Sequence, residues 1–265
     1  MYLARGYSLL VSGIFVALLP FFSARAEDVL CTRPLTLALH EHGLLYSADV
    51  DQGIDKDIAD ALARRSGCKI ILSLLPRDRI WKLIESGALD FSLSGITNAD
   101  RDRYADFAWY FADKYSLLVS NGAKSANVAE FAADRGLKLG LIRSFRYGPY
   151  ANAFVDKLDE QQRVVYANSL GPLYALLMSG RIHAMIVEPF DIPILESANI
   201  AARTKAVEFD DPAIAHGLIM SKAALAADER QRWRAVVDDL VMDGTIEKIF
   251  RKYFSAELSH QLTHF

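Results

Sequence analysis

Arg101 is the residue in this sequence whose chemistry is easiest to interpret. A guanidinium group stays charged at physiological pH, and its planar fork fits a carboxylate in two parallel hydrogen bonds. Arg101 follows a predicted strand over residues 89–94 by a short turn, and Ser94, Gly95 and Thr97 lie on the approach to it. Hydroxyl and free backbone N–H groups would complete an anion site. The segment therefore predicts a carboxylate-binding site, with a solvated arginine in the polar run DRDR as the alternative.

Other candidate residues follow strand ends further along the chain. Ligands of open parallel sheets bind at the carboxyl ends of the strands. Glu188 follows the predicted strand 184–187, and Ser144 and Arg146 follow the strand 137–143. Glu188 is either a ligand-binding acid or an ordinary acid at a strand end. Arg146 is either a second positive group, which would favour a ligand with two acids, or a solvated loop residue.

Motifs typical of catalysis or of metal binding are missing from the sequence. It contains no Gly-x-Ser-x-Gly elbow, no phosphate-binding loop and no dinucleotide fingerprint. His260 and His264 have the spacing of a helical zinc pair, but no Glu follows His260, and we expect this end of the chain to be frayed. We therefore predict no metal, no cofactor and no enzymatic activity.

The elements that must position these residues alternate between strands and helices. Apolar residues at helical spacing, followed by Gly67 and Gly87, predict two helices between the first three strands. The alternation returns after residue 137, which is typical of an α/β fold built from two units with mainly parallel sheets. The predicted strands are 35–40, 69–75, 89–94, 115–120, 137–143, 163–167, 184–187, 205–209 and 216–221.

The first 26 residues have the three parts of a secretory signal peptide. Arg5 precedes an apolar run over residues 9–22, and the tripeptide ARA at 24–26 matches a cleavage site. An uncleaved membrane anchor is the alternative, but the run is short for a span of about 20 residues and Pro20 interrupts it. We expect cleavage after Ala26 and a periplasmic mature protein.

Composition and cysteine positions add two further expectations. The formal net charge of −3 argues against a nucleic-acid-binding protein, which normally carries a basic face. Cys31 and Cys68 lie directly before the first and second predicted strands, and consecutive strands of a parallel unit usually pair. In an oxidising compartment this favours a disulfide between them, with two buried free thiols as the alternative.

Three segments of the chain carry a resemblance to a known family. They read GIDKDIADALARRSG (53–67), LIESGALDFSLSGITNADRDRYADFAWYF (83–111) and MDGTIEKIFRKYF (242–254). In order and spacing they resemble the polar amino-acid family of extracellular solute-binding proteins, the capture subunits of bacterial ATP-driven importers. The likeness extends from about residue 35 to residue 254.

The resemblance implies the two-lobed (type II) fold of periplasmic binding proteins. Each lobe is then a mainly parallel sheet flanked by helices, two hinge strands join the lobes, and the ligand lies in the cleft between them. The implied first lobe comprises residues 27–120 plus 215–265, and the second comprises residues 121–214, after a signal peptide at 1–26.

The resemblance also implies roles for individual residues. Arg101 grips the α-carboxylate of the ligand, Glu188 stands where the family carries an Asp that pairs with the α-amino group, and Tyr46 stacks on the ligand. The sequence departs from the family at residues 98–100 (NAD) and 144–146 (SFR), where Thr-Pro-Glu and Gly-Thr-Thr are usual. Because of these departures, the resemblance does not determine which hydroxyl faces the ligand or which amino acid or carboxylate the ligand is.

The expected function is therefore periplasmic binding of a small anionic metabolite, an amino acid or related carboxylate. The protein would act as a monomer and deliver its ligand to an inner-membrane ABC permease. Two alternatives stay open. One is a periplasmic dehydratase acting on a cyclic carboxylic acid, with Glu188 or Glu41 as general acid. The other is a ligand-sensing periplasmic component.

Overall fold

The computed structural model describes residues 1–2, 30–197 and 199–265. Most of the predicted signal peptide, including the cleavage site after Ala26, lies outside the described residues. Within the described part of the chain, no helix combines the length and the apolar character needed to cross a bilayer.

Two five-stranded sheets, each flanked by helices, form two lobes and confirm the predicted two-lobed α/β fold. The strands are β1 (Leu35–Leu39), β2 (Ile70–Leu74), β3 (Phe91–Gly95), β4 (Ala105–Asp113), β5 (Ser116–Ser120), β6 (Leu139–Ile142), β7 (Val164–Ala167), β8 (Ala184–Val187), β9 (Thr204–Glu208) and β10 (Ile214–Ser221). The helices are α1 (Ile54–Ser66), α2 (Arg77–Ser86), α3 (Val128–Ala133), α4 (Pro149–Glu160), α5 (Leu170–Met178), α6 (Ile192–Ser197), α7 (Ala227–Met242), α8 (Thr245–Phe250) and α9 (Ala256–Thr263).

The first sheet has the strand order β2-β1-β3-β10-β4. β1 pairs in parallel with β2 and β3, as the alternation of strands and helices predicts. β10 returns from the far side of the second lobe and pairs antiparallel with both β3 and β4. The sheet is therefore mixed, because β10 enters it from the second lobe and runs antiparallel to both of its neighbours.

The second sheet has the strand order β7-β6-β8-β5-β9. β6 pairs in parallel with β7 and β8, whereas β5 pairs antiparallel with β8 and β9. β5 thus belongs to the second sheet, although the sequence placed residues up to 120 in the first lobe. The chain crosses between the sheets at residues 113–116 and again at 208–214, and we propose these two crossings as the lobe boundaries.

Local signals and packing explain why the elements form where they do. α1 and α2 end at Gly67 and Gly87, whose φ angles of 69° and 76° suit glycine and close the helices as predicted. The core of the first lobe lies between its sheet and helices α1, α7 and α8, and its largest fully buried side chain, Trp233, packs edge-on against Phe91. Two further apolar clusters cover the two faces of the second sheet.

The predicted disulfide between Cys31 and Cys68 is confirmed, with a Cα–Cα distance of 5.9 Å. Cys31 lies shortly before β1 and Cys68 shortly before β2, and these strands pair in parallel over five residues. The bond therefore fastens β2, the edge strand of the first sheet, to the chain segment that begins the lobe.

We expect that replacing both cysteines with serine lowers the thermal midpoint of unfolding. The bond separates residues 37 apart in sequence, and closing such a loop stabilises a protein by up to about 4 kcal/mol in the chain-entropy model. Calorimetry with and without reductant measures the effect, and reductant should not alter the Cys31→Ser/Cys68→Ser variant. Equal midpoints for oxidised wild type and the variant would contradict the assigned role.

Candidate functional site

The carboxyl ends of strands from both sheets face one another and enclose a small cavity. Its residues end or follow β1, β3, β6 and β8, or come from α2, from β10 and from the first lobe crossing. The cavity volume is about 20 Å³, which is room for about one water molecule. The two lobes are therefore closed on each other. The lining residues are His40, Leu45, Arg77, Ser94, Ile96, Arg101, Tyr115, Phe145, Arg146, Glu188 and His216.

Arg101 lies in this cavity, as the sequence predicts, and is only 5% exposed. Its Nη1 donates to the carbonyl oxygen of Ile96 at 2.9 Å, and its Nη2 donates across the cleft to the carbonyl oxygen of Ser144 at 3.0 Å. The guanidinium lies 3.9 Å from the ring centre of Trp81. Trp81 is buried in the apolar cluster beneath, so it is a packing residue that also supports Arg101.

Arg77 places a second guanidinium in the same cavity, which the sequence analysis did not identify. It is buried, and its Nη1 and Nη2 donate to the carbonyl oxygens of Leu93 and Ser94 at 3.0 and 2.8 Å. Burial lowers the pKa of Arg77. Burial and then the charge of Arg77 lower the pKa of Arg101 to about 9. Two desolvated cations, bonded to backbone carbonyl oxygens, thus form a positive end of the cavity.

Carboxyl groups and histidines form a second, acidic side of the cleft. Oε1 of Glu188 is hydrogen-bonded to Nε2 of His42, and both residues are buried. His216 Nε2 lies 2.9 Å from Oδ1 of Asp113, at ion-pair distance but without hydrogen-bond alignment. One donor atom each from Asp113, Glu188 and His216 lies within 4.8 Å of the others. Within the described chain, Glu188 Oε2 and both Asp113 oxygens have no hydrogen-bond partner.

Burial shifts the ionisation of this acidic side. It raises the pKa of Asp113 to about 7, although Glu188 and His42 oppose the shift. Burial also lowers the pKa of His216 to about 4, so its imidazole is neutral at neutral pH. The pKa of His42 is raised: burial alone would lower it, but the Glu188 carboxylate outweighs burial. A cation entering this side would therefore meet at least one carboxylate that lacks a full set of partners.

Phe145 extends from the second lobe into the space between these two sides. Its ring centre lies 5.9 and 5.1 Å from the rings of His40 and His42, and 5.9 Å from the guanidinium carbon of Arg77. Phe145 belongs to the SFR segment, in which the sequence departs from the family it resembles. The aromatic ring therefore fills space in the cleft, and this accounts for the small cavity.

A buried hydrogen-bonded group holds the end of β3 in place beneath the arginines. Ser94 has a φ angle of 51°, unusual for a residue other than glycine. Its hydroxyl donates to Oδ1 of Asp55 at 2.6 Å, and its backbone N–H donates to the Tyr110 hydroxyl at 2.7 Å. Burial raises the pKa of Asp55 to about 7. Ser94 thus lines the cavity, but its hydroxyl already donates to Asp55.

Thr97 and Gly95 do not line the cavity around Arg101, contrary to their predicted placement. Thr97 is exposed, and its hydroxyl is hydrogen-bonded to Asp102 in the turn that follows β3. Gly95 allows close packing instead, since a Cβ on it would lie 2.3 Å from a side-chain carbon of Ile219. Although Gly95 and Thr97 precede Arg101 closely in sequence, neither residue lines the cavity.

The other predicted site residues lie at the edges of the cavity. Ser144 reaches Arg101 through its backbone carbonyl, and the exposed Arg146 lines the cavity beside it. Tyr46 is buried, and its hydroxyl donates to Asp51 at 2.9 Å. Tyr46 lines a neighbouring cavity of about 410 Å³ between the segment after β1 and residues 169–171 of the second lobe.

The sequence analysis did not identify Arg77, Asp113 or His216, and only Arg77 had a sequence pattern that could have indicated it. Arg77 is the first residue of α2 and follows the carboxyl end of β2, so the strand-end rule applied to it as it did to Arg101. Asp113 and His216 lie where β4 ends and β10 begins, and β4 had not been predicted as a strand. Without the pairing of β10 with β4, no pattern places those two residues together.

Comparisons with known proteins agree with this architecture. The sequence pattern of the family described as bacterial extracellular solute-binding proteins, family 3, matches residues 45–256. No curated protein matches the chain.

Many solved structures match the fold. One is the L-arginine-bound amino acid ABC transporter substrate-binding protein AbpA from Streptococcus pneumoniae (TM-score 0.69, 21% identity, 84% of this chain and 95% of that one). Another is the arginine-, lysine-, histidine-binding protein ArtJ from Geobacillus stearothermophilus (0.70, 16%, 84% and 95%). A third is a histidine kinase sensor domain with similarity to periplasmic binding proteins (0.70, 16%, 84% and 96%). At these identities the likeness shows the fold.

We expect Asp113→Asn to change how stability depends on pH. A carboxyl whose pKa rises above its unfolded value of about 3.9 takes up a proton on folding, so its contribution to the free energy of unfolding falls as the pH rises from about 4 to about 7. Asparagine cannot ionise. Relative to wild type, the variant should therefore gain up to about 4 kcal/mol between pH 4 and pH 8, because a pKa displaced from about 4 to about 7 corresponds to about 1.4 kcal/mol for each pH unit.

Urea unfolding at several pH values measures this difference. Asp238→Asn, at an exposed position of α7, is the matched control and should follow the wild-type profile. Parallel profiles for Asp113→Asn and wild type would show that Asp113 is not a buried titrating acid.

Proposed function

Because the chain belongs to family 3 of the bacterial extracellular solute-binding proteins, we propose that it captures an amino acid in the cleft between its lobes and catalyses no reaction. The observation that carries the proposal is the separation of charge in the cleft. Arg77 and Arg101 form one side, and Glu188 and Asp113 form the other. A zwitterion, with a carboxylate and an ammonium group, complements both sides.

The positive side supplies the recognition of an anion. An ionised group taken out of water without a charged partner loses several kcal/mol, and carbonyl dipoles recover only part of it. Both arginines are in this position, since their hydrogen bonds go to backbone oxygens. A ligand carboxylate on the fork of Arg101 would restore the missing charge pairing. Arg77, beside it, would receive a second acidic group, and we propose a dicarboxylic amino acid as the ligand.

The acidic side supplies the recognition of an ammonium group. Glu188 stands after β8 with one oxygen on His42 and the other unpartnered among the described residues. Asp113 adds a second carboxyl from the lobe crossing. An α-ammonium placed there would donate hydrogen bonds to the oxygens that now lack partners.

Binding must involve movement of the lobes. Cavities that hold small-molecule ligands measure about 300–1,000 Å³, whereas the cavity between these arginines and acids is far smaller. The contacts of Arg101 with Ser144 and of His42 with Glu188 both join one lobe to the other. A ligand would enter when these contacts open and Phe145 withdraws, and would then replace them as the link between the lobes.

The family places the protein outside the cytoplasm. We further propose cleavage after Ala26, a monomeric mature form in the periplasm, and delivery of the ligand to an inner-membrane ABC permease. Native mass spectrometry of the purified protein would identify a ligand that it carries.

Arg101→Ala should weaken ligand binding by roughly 30-fold to several-thousand-fold. Truncating one partner of a buried charge pair costs about 2–5 kcal/mol. Arg101→Lys keeps the charge but loses the planar fork, so it should also bind weakly. Arg103→Ala is the control, because Arg103 is exposed and paired with Asp100 in the same turn. Calorimetric titration of all three variants measures the affinities.

Near-wild-type affinity in Arg101→Ala would remove Arg101 from the site. Turnover is tested on the same samples: the ligand should be recovered unchanged after incubation with the wild-type protein. If wild type converts the ligand and Glu188→Gln stops the conversion while it still binds, the protein is a dehydratase-type enzyme.

Arg77→Gln should abolish discrimination between dicarboxylic amino acids and their amides. Wild type should bind glutamate or aspartate at least about tenfold more tightly than glutamine or asparagine, which corresponds to roughly 1.4 kcal/mol for the second charge pair. The variant should bind the acid and its amide alike. An unchanged ratio in Arg77→Gln, or a wild type that prefers the amides, would exclude a second acidic group at Arg77.

A further inference from the structure

A group of three metal-ligating side chains lies on the surface of the first lobe, away from the cleft. Glu247 is on α8, His260 is on α9 and His264 directly follows α9. One donor atom from each lies within 4.8 Å of the others. The imidazole rings of the two histidines are 3.9 Å apart between centres, and His260 Nδ1 lies 3.8 Å from Oε1 of Glu247.

The helix that carries the histidines is fixed to the lobe, so the expectation of a frayed tail is wrong. Ser255 caps the N-terminus of α9, and its hydroxyl accepts a hydrogen bond from the backbone N–H of Leu258. Its inner face is buried through Ser259, Leu262 and Thr263, and Leu262 belongs to the main apolar core. The outer face therefore presents the two histidines, one helical turn apart, on a rigid support.

The structure also supplies the acidic ligand that the sequence lacked beside His260. Glu247 comes from the neighbouring helix, 13 positions earlier than His260, so no local motif could reveal it. Its carboxylate already accepts hydrogen bonds from Nε and Nη2 of Arg251 at 3.0 and 2.6 Å. A cation at the site would therefore share the Glu247 carboxylate with Arg251 or displace Arg251 from it.

We propose that Glu247, His260 and His264 bind one divalent transition-metal ion, with Zn²⁺ the ion that best fits the donors. Two imidazole nitrogens and one carboxylate oxygen form a common zinc ligand set, with ligand distances of about 2.0–2.2 Å and a water molecule completing a tetrahedron. Those distances place the donors about 3.3–3.5 Å apart, which rotation of exposed side chains achieves from the present spacing. The hard ions Mg²⁺ and Ca²⁺ prefer all-oxygen sites and should not bind here.

The ion would join α8 to α9 and stabilise the end of the first lobe. A metal that binds only the folded chain stabilises it by mass action, so the thermal midpoint should rise with metal concentration. This inference does not depend on the proposed function, because the site lies outside the cleft.

The buried group of Asp113, Glu188 and His216 is the other place where zinc could bind. Its donors are partly engaged, since Glu188 is bonded to His42 and His216 lies against Asp113 and the Tyr115 hydroxyl. It is also enclosed between the closed lobes. The experiment must therefore distinguish the two groups by substitution.

The test is calorimetric titration of ZnCl₂ into the mature chain without an affinity tag, together with thermal unfolding with and without zinc. Wild type should take up one Zn²⁺ per chain at the surface group, and its midpoint should rise. His260→Ala, His264→Ala and Glu247→Gln should each lose this uptake and the rise. Glu257→Gln, an exposed acid on the same helix, is the matched control and should behave as wild type.

Several outcomes would overturn the proposal. One is a wild type without saturable zinc uptake or equal uptake of Mg²⁺. Another is wild-type zinc uptake in the His260 and His264 variants. Loss of uptake in His216→Ala, with uptake retained in the surface variants, would place the metal in the cleft instead.

Discussion

The burial of charged groups between the two lobes is the constraint on which the rest of the structure depends. Arg77, Arg101 and Glu188 all lie out of water where the lobes meet. A buried charge without a good partner is strongly destabilising, so each needs a substitute for its lost hydration. Backbone carbonyl oxygens serve the arginines, and His42 serves Glu188. Arg101 gains the carbonyl oxygen of Ser144, and Glu188 gains His42, only when the lobes close, because these partners lie on the opposite lobe. Lobe closure and the pairing of the buried charges are therefore coupled, as a ligand-capturing cleft requires.

Much of the fold followed from local sequence signals. Alternating apolar runs and terminal glycines identified β1, β2 and β3 with the helices between them, because neighbouring parallel strands depend on short-range connections. The disulfide was predictable for the same reason, since both cysteines precede strands that pair. Arg101 became a candidate because the strand-end rule and its charge point to the same place, and its side chain lines the cavity. In each case, interactions close in sequence determine the result.

The remainder depended on contacts between distant segments. β5 joins the second sheet because it pairs with β8 and β9, which lie about 65 residues or more further along the chain. The neighbours of Asp113 and Glu247 come from other strands and helices, so neither residue stands out in its own segment. Thr97 lies near Arg101 in sequence, but its exposed hydroxyl is hydrogen-bonded to Asp102 and it does not line the cavity. Spacing along the chain gives the candidates, and only the tertiary pairing selects among them.

The return of β10 to the first sheet has a consequence for the order of folding. The second sheet is built from one continuous stretch, residues 116–208, and can assemble by itself. The first sheet cannot, because β10 fills the place between β3 and β4 and carries contacts that span more than 100 residues. A chain synthesised from its N-terminus can pair β3 with β1, but β4 and the other edge of β3 lack their partner strand until the last quarter of the chain is made. Such non-local pairing slows folding and leaves strand edges open to aggregation. The first lobe, though it begins the sequence, is the last to be completed.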